Sequence, residues 1–351
     1  MTPLRRLKRL KKALYKPTVM TTKHSDNEIE VVDDSVVESI PIFSQLAVLA
    51  VILLIIFGVG MAPHFTKSPN APEETQPAAS AVAGANETIP NADHFNDIVI
   101  TGNSGFVLDV TTQRVLWAEN PDMQLPLASV TKLMTALIAN ELFTSDTDIR
   151  ISENAIAQDG ASGLSAGEVF TLGNLSDLFL LTSSNDGAFA VAESLGRSLD
   201  PDDPAAAFVQ AMNVRATELG LAQTFFRNPT GLDITEQEAG AYGSARDITI
   251  LMQHIIRTKP AILEATRTRV STLFSEEGYT HTAYNTNPFV NQIPGLIGSK
   301  TGFTELAGGN LAVAFEAGVN RPVIVVILGS TQEGRFRDIL TLTKAAQAAL
   351  Q

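Results

Sequence analysis

Hydrophobic and polar positions divide the chain into an apolar run, a polar tether and a long segment of mixed periodicity. The apolar run, Leu46 to Ala62, has seventeen residues without a charge, a length that suits one membrane-spanning helix. Residues 67–92 are rich in Pro, Ala and small polar residues without an apolar period, which is typical of a flexible tether. We therefore expect four parts: a cytoplasmic tail (1–41), a transmembrane anchor (42–62), a flexible linker (63–94) and a folded domain (95–351).

The folded segment has strand patterns at both ends and helix patterns between them. Short apolar and alternating runs predict strands near 98–110, 114–118, 297–303, 309–317 and 321–329. Helical periods predict helices near 129–142, 173–182, 186–197, 203–219, 244–257 and from residue 334 to the end of the chain. This order indicates one α+β domain, in which a single sheet joins both ends of the segment and a helical lobe is inserted between them.

The apolar run could be an uncleaved anchor or a cleaved signal peptide. About forty residues precede it, and its best-placed small-residue site, at 60–62, is followed by Pro63, which disfavours cleavage. The basic stretch at 4–16 favours an N-terminus inside the cell, although the acidic stretch at 26–38 weakens this rule. The basic stretch could be an amphipathic helix on anionic lipid or a disordered tail. We expect a single-pass protein of the cell membrane with an extracytoplasmic folded domain.

Composition excludes several classes of site and partner. The chain has no cysteine, so disulfides, thiolate metal sites and cysteine nucleophiles are excluded. None of its five histidines has metal-ligand spacing to another, so we expect no metal and no cofactor. Seven of the 25 Lys and Arg residues lie in the first sixteen positions, which leaves 18 against 38 Asp and Glu. A body this acidic should repel nucleic acid.

Two serines stand in patterns associated with nucleophiles. Residues 126–134 read PLASVTKLM, which places Ser129 three positions before Lys132 at the start of a predicted helix. Residues three apart share a helix face, so the amine can reach the hydroxyl and act as its base. Ser165 stands in a formal GxSxG at 163–167, but its flanks do not predict the strand and helix that this motif requires. We therefore expect Ser165 to lie in a loop, whereas the Ser129 and Lys132 pair is either a nucleophile with its base or a chance occurrence of SxxK.

Two further motifs follow Ser129 in a fixed order. Ser183, Ser184 and Asn185 form an SxN motif where two predicted helices meet, and 300–302 form a KTG motif in a predicted strand. Each motif alone is weak, but the three occur in order, 54 and then 117 residues apart, on suitable elements. Together they are a specific signature.

These motifs resemble those of the penicillin-recognising serine enzymes, and specifically of the D-alanyl-D-alanine carboxypeptidases among the low-molecular-mass penicillin-binding proteins. The likeness extends over about residues 98–350 and includes LASVTKLMTAL, LTSSNDGAFAVAE and PGLIGSKTGFTELAGG. It implies a β-lactamase/DD-peptidase-like α+β fold, in which an antiparallel sheet is flanked by helices. The site would lie between the sheet and the inserted helical lobe, and one transmembrane helix would precede the domain.

The resemblance also implies a role for each motif residue. The residues expected to be catalytic are Ser129, Lys132 and Ser183. Those expected to bind substrate are Asn185, Lys300, Thr301, Gly302, Phe303 and Arg335, with Arg337 as an alternative to Arg335. Lys132 must be neutral to accept the proton of Ser129, and burial beside the Lys300 ammonium would favour that form. Ser183 would relay the proton to the leaving amine, and the backbone N–H groups of Ser129 and Phe303 would form an oxyanion hole.

The expected function is that of a membrane-anchored serine D-alanyl-D-alanine carboxypeptidase, which trims peptidoglycan stem peptides ending in D-Ala-D-Ala through an acyl-enzyme at Ser129. β-Lactams should be covalent inhibitors, because residues 186–299 lack the ExxxN glutamate with which class A β-lactamases deacylate. Two alternatives remain: a DD-endopeptidase that cuts peptidoglycan cross-links, and a non-catalytic wall-binding protein that keeps the pocket.

Overall fold

The computed structural model describes residues 94–160 and 162–351. The predicted tail, the predicted transmembrane anchor and all but the last residue of the predicted linker lie outside these residues. Within the described part, no helix combines the length and the apolar character needed to cross a membrane.

The described strands form one large sheet and three small ones. In chain order they are β1 (Ser104–Asp109), β2 (Arg114–Glu119), β3 (Leu125–Pro126), β4 (Asp148–Arg150), β5 (Val169–Thr171), β6 (Phe225–Phe226), β7 (Ala241–Gly243), β8 (Val270–Phe274), β9 (Thr280–Tyr284), β10 (Leu296–Thr304), β11 (Gly308–Glu316) and β12 (Pro322–Ser330). The large sheet is antiparallel with the order β10-β11-β12-β1-β2. It therefore joins both ends of the folded segment, as the sequence predicts.

The described helices lie mainly between the two groups of sheet strands. In chain order they are α1 (Lys132–Leu142), α2 (Glu153–Ile156), α3 (Leu172–Thr182), α4 (Asn185–Gly196), α5 (Pro204–Leu219), α6 (Ala245–Thr258) and α7 (Gly334–Leu350). Side-chain oxygens accept a hydrogen bond from the first turn of five of them, with Thr171, Ser184 and Ser244 capping α3, α4 and α6. These caps fix where each helix begins.

The central sheet is covered on both faces, and β12 shows why. Its residues are buried along almost the whole strand, and successive side chains point to opposite faces. Ile324 and Val326 join the core shared with α6 and the helical lobe. Val325 and Ile327 join a second core with α7. The structure confirms the predicted α+β domain with helices on an antiparallel sheet.

The elements differ from the sequence prediction in three places. The first strand begins at Ser104 rather than near residue 98. The predicted helix at 129–142 is a 3₁₀ turn, Ala128–Thr131, followed by α1. The β8–β9 hairpin and the other small sheets were not predicted, because two- to five-residue strands in polar surroundings leave little alternation to detect.

Candidate active site

Ser129 is presented by a strained turn in front of α1. Ala128 has a φ of 47°, which side chains with a Cβ rarely adopt. Its neighbours Leu127 and Val130 are fully buried, whereas Ser129 remains partly exposed. The backbone N–H of Leu127 donates to Ala241 O at 3.0 Å. The strain at Ala128 is thus held in place by well-packed neighbours.

Two glycines hold this turn from opposite sides. A Cβ on Gly302 in β10 would lie 2.9 Å from Leu127 O and 3.2 Å from Ser129 N. A Cβ on Gly231, whose φ is 80°, would lie 1.9 Å from Ala128 O. Neither position has room for a side chain. The glycine of the KTG motif therefore brings β10 against the backbone of the nucleophile.

Lys132 is fully buried and reaches three oxygens. Its Nζ lies 2.8 Å from Ser129 Oγ, 2.7 Å from Asn185 Oδ1 and 2.8 Å from Thr230 O. Burial and then the charge of Lys300 hold the pKa of Lys132 well below its ordinary value, although Asp186 acts in the opposite direction. A neutral amine would donate to Asn185 and Thr230 and accept from the Ser129 hydroxyl. This arrangement suits a base that removes the serine proton.

Ser183 lies at the junction between α3 and α4. It ends α3 in the left-handed conformation with a φ of 63°, and the next residue, Ser184, caps α4 by accepting from Gly187 N at 2.9 Å. Lys300 Nζ lies 2.8 Å from Ser183 Oγ. Among the hydrogen bonds of the described residues, Ser183 is thus paired with Lys300 rather than with Lys132.

Lys300 and Arg335 form a second buried cationic centre behind the nucleophile. Lys300 Nζ also donates to Thr301 O at 2.7 Å, and the side chain is 1% exposed. Burial and then the Arg335 charge lower the pKa of Lys300 to about 7. Burial lowers the pKa of Arg335 to about 10. Its guanidinium, 6% exposed, donates to Gly302 O, so Arg335 supports β10 from behind.

The edge strand β10 carries the remaining predicted residues. Thr301 Oγ1 lies 2.6 Å from Thr286 Oγ1, and Phe303 is 40% exposed. β10 is the last strand of the central sheet and has β11 as its strand neighbour. At its other edge, Ser299 N already donates to Thr266 Oγ1 at 3.1 Å, so an extended peptide would pair with the part of this edge that follows Ser299. The close approach at Gly302 brings the segments that contain Ser129 N and Phe303 N together.

The structure brings the three motifs to one place, and it adds contacts that the sequence did not indicate. Thr230 supplies a backbone carbonyl to Lys132, and Thr286 supplies a hydroxyl to Thr301. Asp186 is 2% exposed and accepts from Ser162 Oγ at 2.6 Å. The Asn-Pro and Gly of 228–231 indicated only a turn, since a carbonyl leaves no mark on residue type. Sequence reasoning had no signal for Thr286.

The side-chain amide of Asn185, which was expected to bind substrate, already makes a hydrogen bond within the protein. Asn185 Nδ2 donates to Asp159 O at 2.6 Å.

Ser165 lies in a loop between α2 and β5, as the sequence predicts, and its backbone N–H donates to Glu168 Oε2 at 3.3 Å. The described residues contain no group of three or more His, Cys, Asp or Glu side chains placed to hold a metal ion.

A family model described as D-alanyl-D-alanine carboxypeptidase matches residues 90–332. D-alanyl-D-alanine carboxypeptidase DacF of Bacillus subtilis is 31% identical over 250 residues, 70% of this chain and 61% of that protein. The D-alanyl-D-alanine endopeptidase of Pseudomonas aeruginosa is 32% identical over 235 residues, 65% of this chain and 71% of that protein. The ampicillin-bound structure of penicillin-binding protein D2 from Listeria monocytogenes has a TM-score of 0.58 at 28% identity, over 73% of this chain and 99% of that chain.

Proposed function

The chain belongs to the D-alanyl-D-alanine carboxypeptidase family, and from that premise we propose that it removes the terminal D-alanine from peptidoglycan stem peptides. The observation that carries this proposal is the contact between a partly exposed serine hydroxyl and a fully buried lysine, 2.8 Å apart, beside a second buried lysine. The chain spans 61% of the length of the Bacillus subtilis relative.

Acylation begins with the neutral amine of Lys132, which takes the proton of Ser129 as Oγ attacks the carbonyl of the penultimate D-alanine. The carbonyl oxygen becomes an oxyanion, and the backbone N–H groups of Ser129 and Phe303 would be the donors that stabilise it. The C–N bond then breaks, and the leaving amine takes the proton from the Lys132 ammonium. D-Alanine departs, and the acyl group remains on Ser129.

Deacylation repeats the same proton transfers with water as the nucleophile. Lys132 takes a proton from the water, the hydroxide attacks the acyl carbon, and the proton returns to Ser129 Oγ as the ester bond breaks. No ExxxN glutamate lies between residues 186 and 299. The adduct of a β-lactam at Ser129 should therefore persist, which makes β-lactams inhibitors.

The substrate carboxylate would meet Thr301 and the ammonium of Lys300, while Arg335 adds positive potential from behind β10. Bound carboxylate favours the protonated form of Lys300, whose pKa is about 7 in the free protein. Thr301 would be oriented by its hydrogen bond to Thr286. We assign Arg335 a supporting role because its guanidinium is bonded to Gly302 O.

We also propose that the run from Leu46 to Ala62 anchors the protein in the cell membrane with its N-terminus in the cytoplasm. The support is the seventeen-residue uncharged sequence and the basic stretch that precedes it. The catalytic domain would then face the cell wall. Protease protection of membrane vesicles carrying an N-terminal epitope tag tests this topology, and an accessible tag on the outer surface would contradict it.

One experiment tests the enzymatic proposal. The full chain is incubated with a fluorescent penicillin and with a peptide ending in D-Ala-D-Ala, beside Ser129→Ala and Lys132→Ala variants and a Ser165→Ala control. We expect covalent labelling and D-alanine release by the parent chain and the control only. Labelling with cleavage restricted to cross-linked dimers would identify an endopeptidase. Ligand binding without labelling or turnover would identify a non-catalytic wall-binding protein.

A further inference from the structure

The β8–β9 hairpin has one face packed on the domain and one face in solvent. Val270 pairs with Tyr284 and Phe274 pairs with Thr280 in the antiparallel register. Leu273 is 6% exposed, whereas Val270, Phe274 and Tyr284 are 48%, 52% and 69% exposed. Alternate residues of paired strands share a face, so these three large side chains lie on one side.

The solvent side of the hairpin, called here the outer face, consists of Val270, Thr272, Phe274, Thr280, Thr282 and Tyr284. Tyr279, in the turn that joins the strands, is 60% exposed. The outer face has no charged side chain, and it combines apolar and aromatic surface with hydroxyl groups. Solvent-exposed apolar groups clustered in this way mark interaction surfaces.

A polar pocket adjoins the tip of the hairpin. Its volume is about 470 Å³, and its lining consists of Ser165, Ala166, Gly167, Glu168, Glu277 and Tyr279. Val169 N donates to Glu277 Oε2 at 3.2 Å, and this bond holds the pKa of Glu277 below its ordinary value. The pocket thus combines an aromatic ring with carboxylate acceptors. Tyr279 belongs to both the pocket and the tip.

The opposite end of the outer face is continuous with the candidate active site. Two residues after Tyr284 the chain reaches Thr286, whose N–H donates to Leu181 O at 3.0 Å. The hydroxyl of Thr286 lies 2.6 Å from that of Thr301. A molecule lying along the hairpin would therefore extend from the tip pocket toward the KTG strand.

We propose that the outer face and the tip pocket bind the glycan strand of peptidoglycan, an inference that rests on the proposed function because it concerns the polymer that carries the stem peptides. Amino-sugar rings present apolar C–H faces and hydroxyl or amide edges, which match aromatic bodies, threonine hydroxyls and carboxylate acceptors. The sugars are uncharged where their lactyl groups are amidated by stem peptides, and the outer face is uncharged as well.

Charge and position both favour a glycan over other occupants. Glu276 and Glu277 at the tip would repel anionic lipid. The hairpin ends two residues before Thr286, whose hydroxyl lies 2.6 Å from that of Thr301, so a glycan on the outer face would lie beside the strand that is proposed to bind its stem peptide.

The test uses the full chain and a hairpin variant that carries Phe274→Thr, Tyr279→Ser and Tyr284→Thr. Threonine keeps strand propensity at the two strand positions. The matched control carries Val99→Thr and Val319→Thr, at apolar residues that are 90% and 95% exposed elsewhere. The probe is immobilised peptidoglycan glycan from which an amidase has removed the stem peptides and whose freed lactyl carboxylates are then capped as methylamides, so that the glycan stays uncharged. Release of D-alanine from a soluble peptide and labelling by fluorescent penicillin are measured in parallel.

We expect the hairpin variant to bind the stem-free glycan at least about tenfold more weakly, with unchanged release from the soluble peptide and unchanged labelling. The control should match the parent in all three measurements. Tyr279→Phe with Tyr284→Phe keeps the rings and should retain most glycan binding. If the first variant fails to label and is thereby shown to be misfolded, the single variant Tyr284→Thr, at a side chain that is 69% exposed, replaces it and should also bind the glycan more weakly than the parent.

Three results would overturn the proposal. The parent chain does not bind stem-free glycan, or the folded hairpin variant binds it as well as the parent, or the variant instead loses binding to phosphatidylglycerol vesicles or self-association in sedimentation. The last outcome would assign the outer face to lipid or to a second copy. A parent chain that binds glycan in a hairpin-dependent way but releases no D-alanine would refute the proposed function alone.

Discussion

Helix α1 has a buried charged residue near each end, and the two have opposite surroundings. At its start, Lys132 is fully buried, and its hydrogen-bond partners among the described residues are uncharged oxygens. Two charged residues act on it, and Lys300 acts more strongly than Asp186. Near its end, Glu141 is 6% exposed and lies 2.9 Å from the Arg215 guanidinium and 3.2 Å from His254 Nε2.

The different surroundings indicate a reactive side chain at the start of α1 and a structural ion pair near its end. A buried charge beside an opposite charge is compensated, so it holds elements together without gaining reactivity. A buried cation placed against other cations favours its neutral form, and a neutral amine is a base. Burial of a charged residue alone therefore does not indicate an active site, whereas burial of a cation on which a like charge acts more strongly than an opposite charge does.

The largest effect should come from keeping a permanent charge at the start of α1. Lys132→Arg retains a cation that cannot become neutral, so it cannot accept the Ser129 proton. We expect kcat/KM for D-alanine release to fall by about a thousandfold or more, and penicillin labelling to fall with it. A variant that kept activity within tenfold would show that Lys132 is not the base.

Breaking the ion pair between Glu141 and Arg215 should lower the stability of the fold and leave the reaction at Ser129 unchanged. Glu141→Leu leaves the Arg215 guanidinium, whose side chain is 10% exposed, without this partner, although the ion pair with Glu218 at 2.9 Å remains. The free energy of unfolding should therefore fall by about 2–3 kcal/mol. Urea denaturation measures this loss, and penicillin labelling of the folded fraction should be unchanged. Adding Arg215→Met should recover part of the stability. Equal loss of labelling would contradict a purely structural role.

Removing an uncompensated buried charge should raise the free energy of unfolding instead of lowering it. Lys300→Met eliminates a buried ammonium, so we expect the free energy of unfolding at pH 7 to rise by about 1–3 kcal/mol while D-alanine release is lost. The folded pKa of Lys300, about 7, is below the unfolded value of about 10.4. The unfolded chain therefore binds more protons between these values, and the Lys300 contribution makes the parent more stable as pH rises across them.

The pH dependence of the free energy of unfolding tests whether Lys300 is the group that titrates near pH 7 in the folded protein. Denaturation of parent and Lys300→Met at pH 7 and pH 9 should show a smaller gain with pH in the variant. An equal change in the free energy of unfolding with pH in the two proteins would mean that Lys300 is not the group that titrates. Lys344 on α7 is exposed, and Lys344→Met serves as the control that should leave the slope unchanged.

The smallest effect should come from Thr286, which touches the site only through Thr301. Thr286→Val removes the hydroxyl 2.6 Å from Thr301 Oγ1, so KM for the peptide should rise by about fivefold, which corresponds to one ordinary hydrogen bond. Because the nucleophile is untouched, kcat should change little. Thr286→Ser keeps the hydroxyl and should restore KM, and a fall in kcat without a change in KM would contradict a positioning role.

The sequence predicted the sheet that joins both chain ends and the three motifs that carry the chemistry. It could do so because β10, β11 and β12 are nine-residue strands with buried apolar residues, and because Ser129, Ser183 and Lys300 are residue types with a chemical signature. The roles of these residues stay predictions until the variants are measured.

Contacts made by the backbone could not be predicted in the same way. Any residue type could supply the carbonyl of Thr230, and only the folded turn brings it to Lys132. The interaction of Arg335 with Gly302 O depends on how α7 packs against β11 and β12. Glu141 gave no sign of its partners, since Arg215 and His254 are distant in sequence.

The order of strands in the central sheet has a consequence for the growing chain. β1 pairs with β12 along its full length, yet more than two hundred residues separate them in synthesis. Until the last third emerges from the ribosome, β1 presents an open edge, and the Lys300 half of the site does not exist. Competence to react with penicillin should therefore appear late and all at once, and a holdase that shields strand edges until the chain is complete would raise the yield.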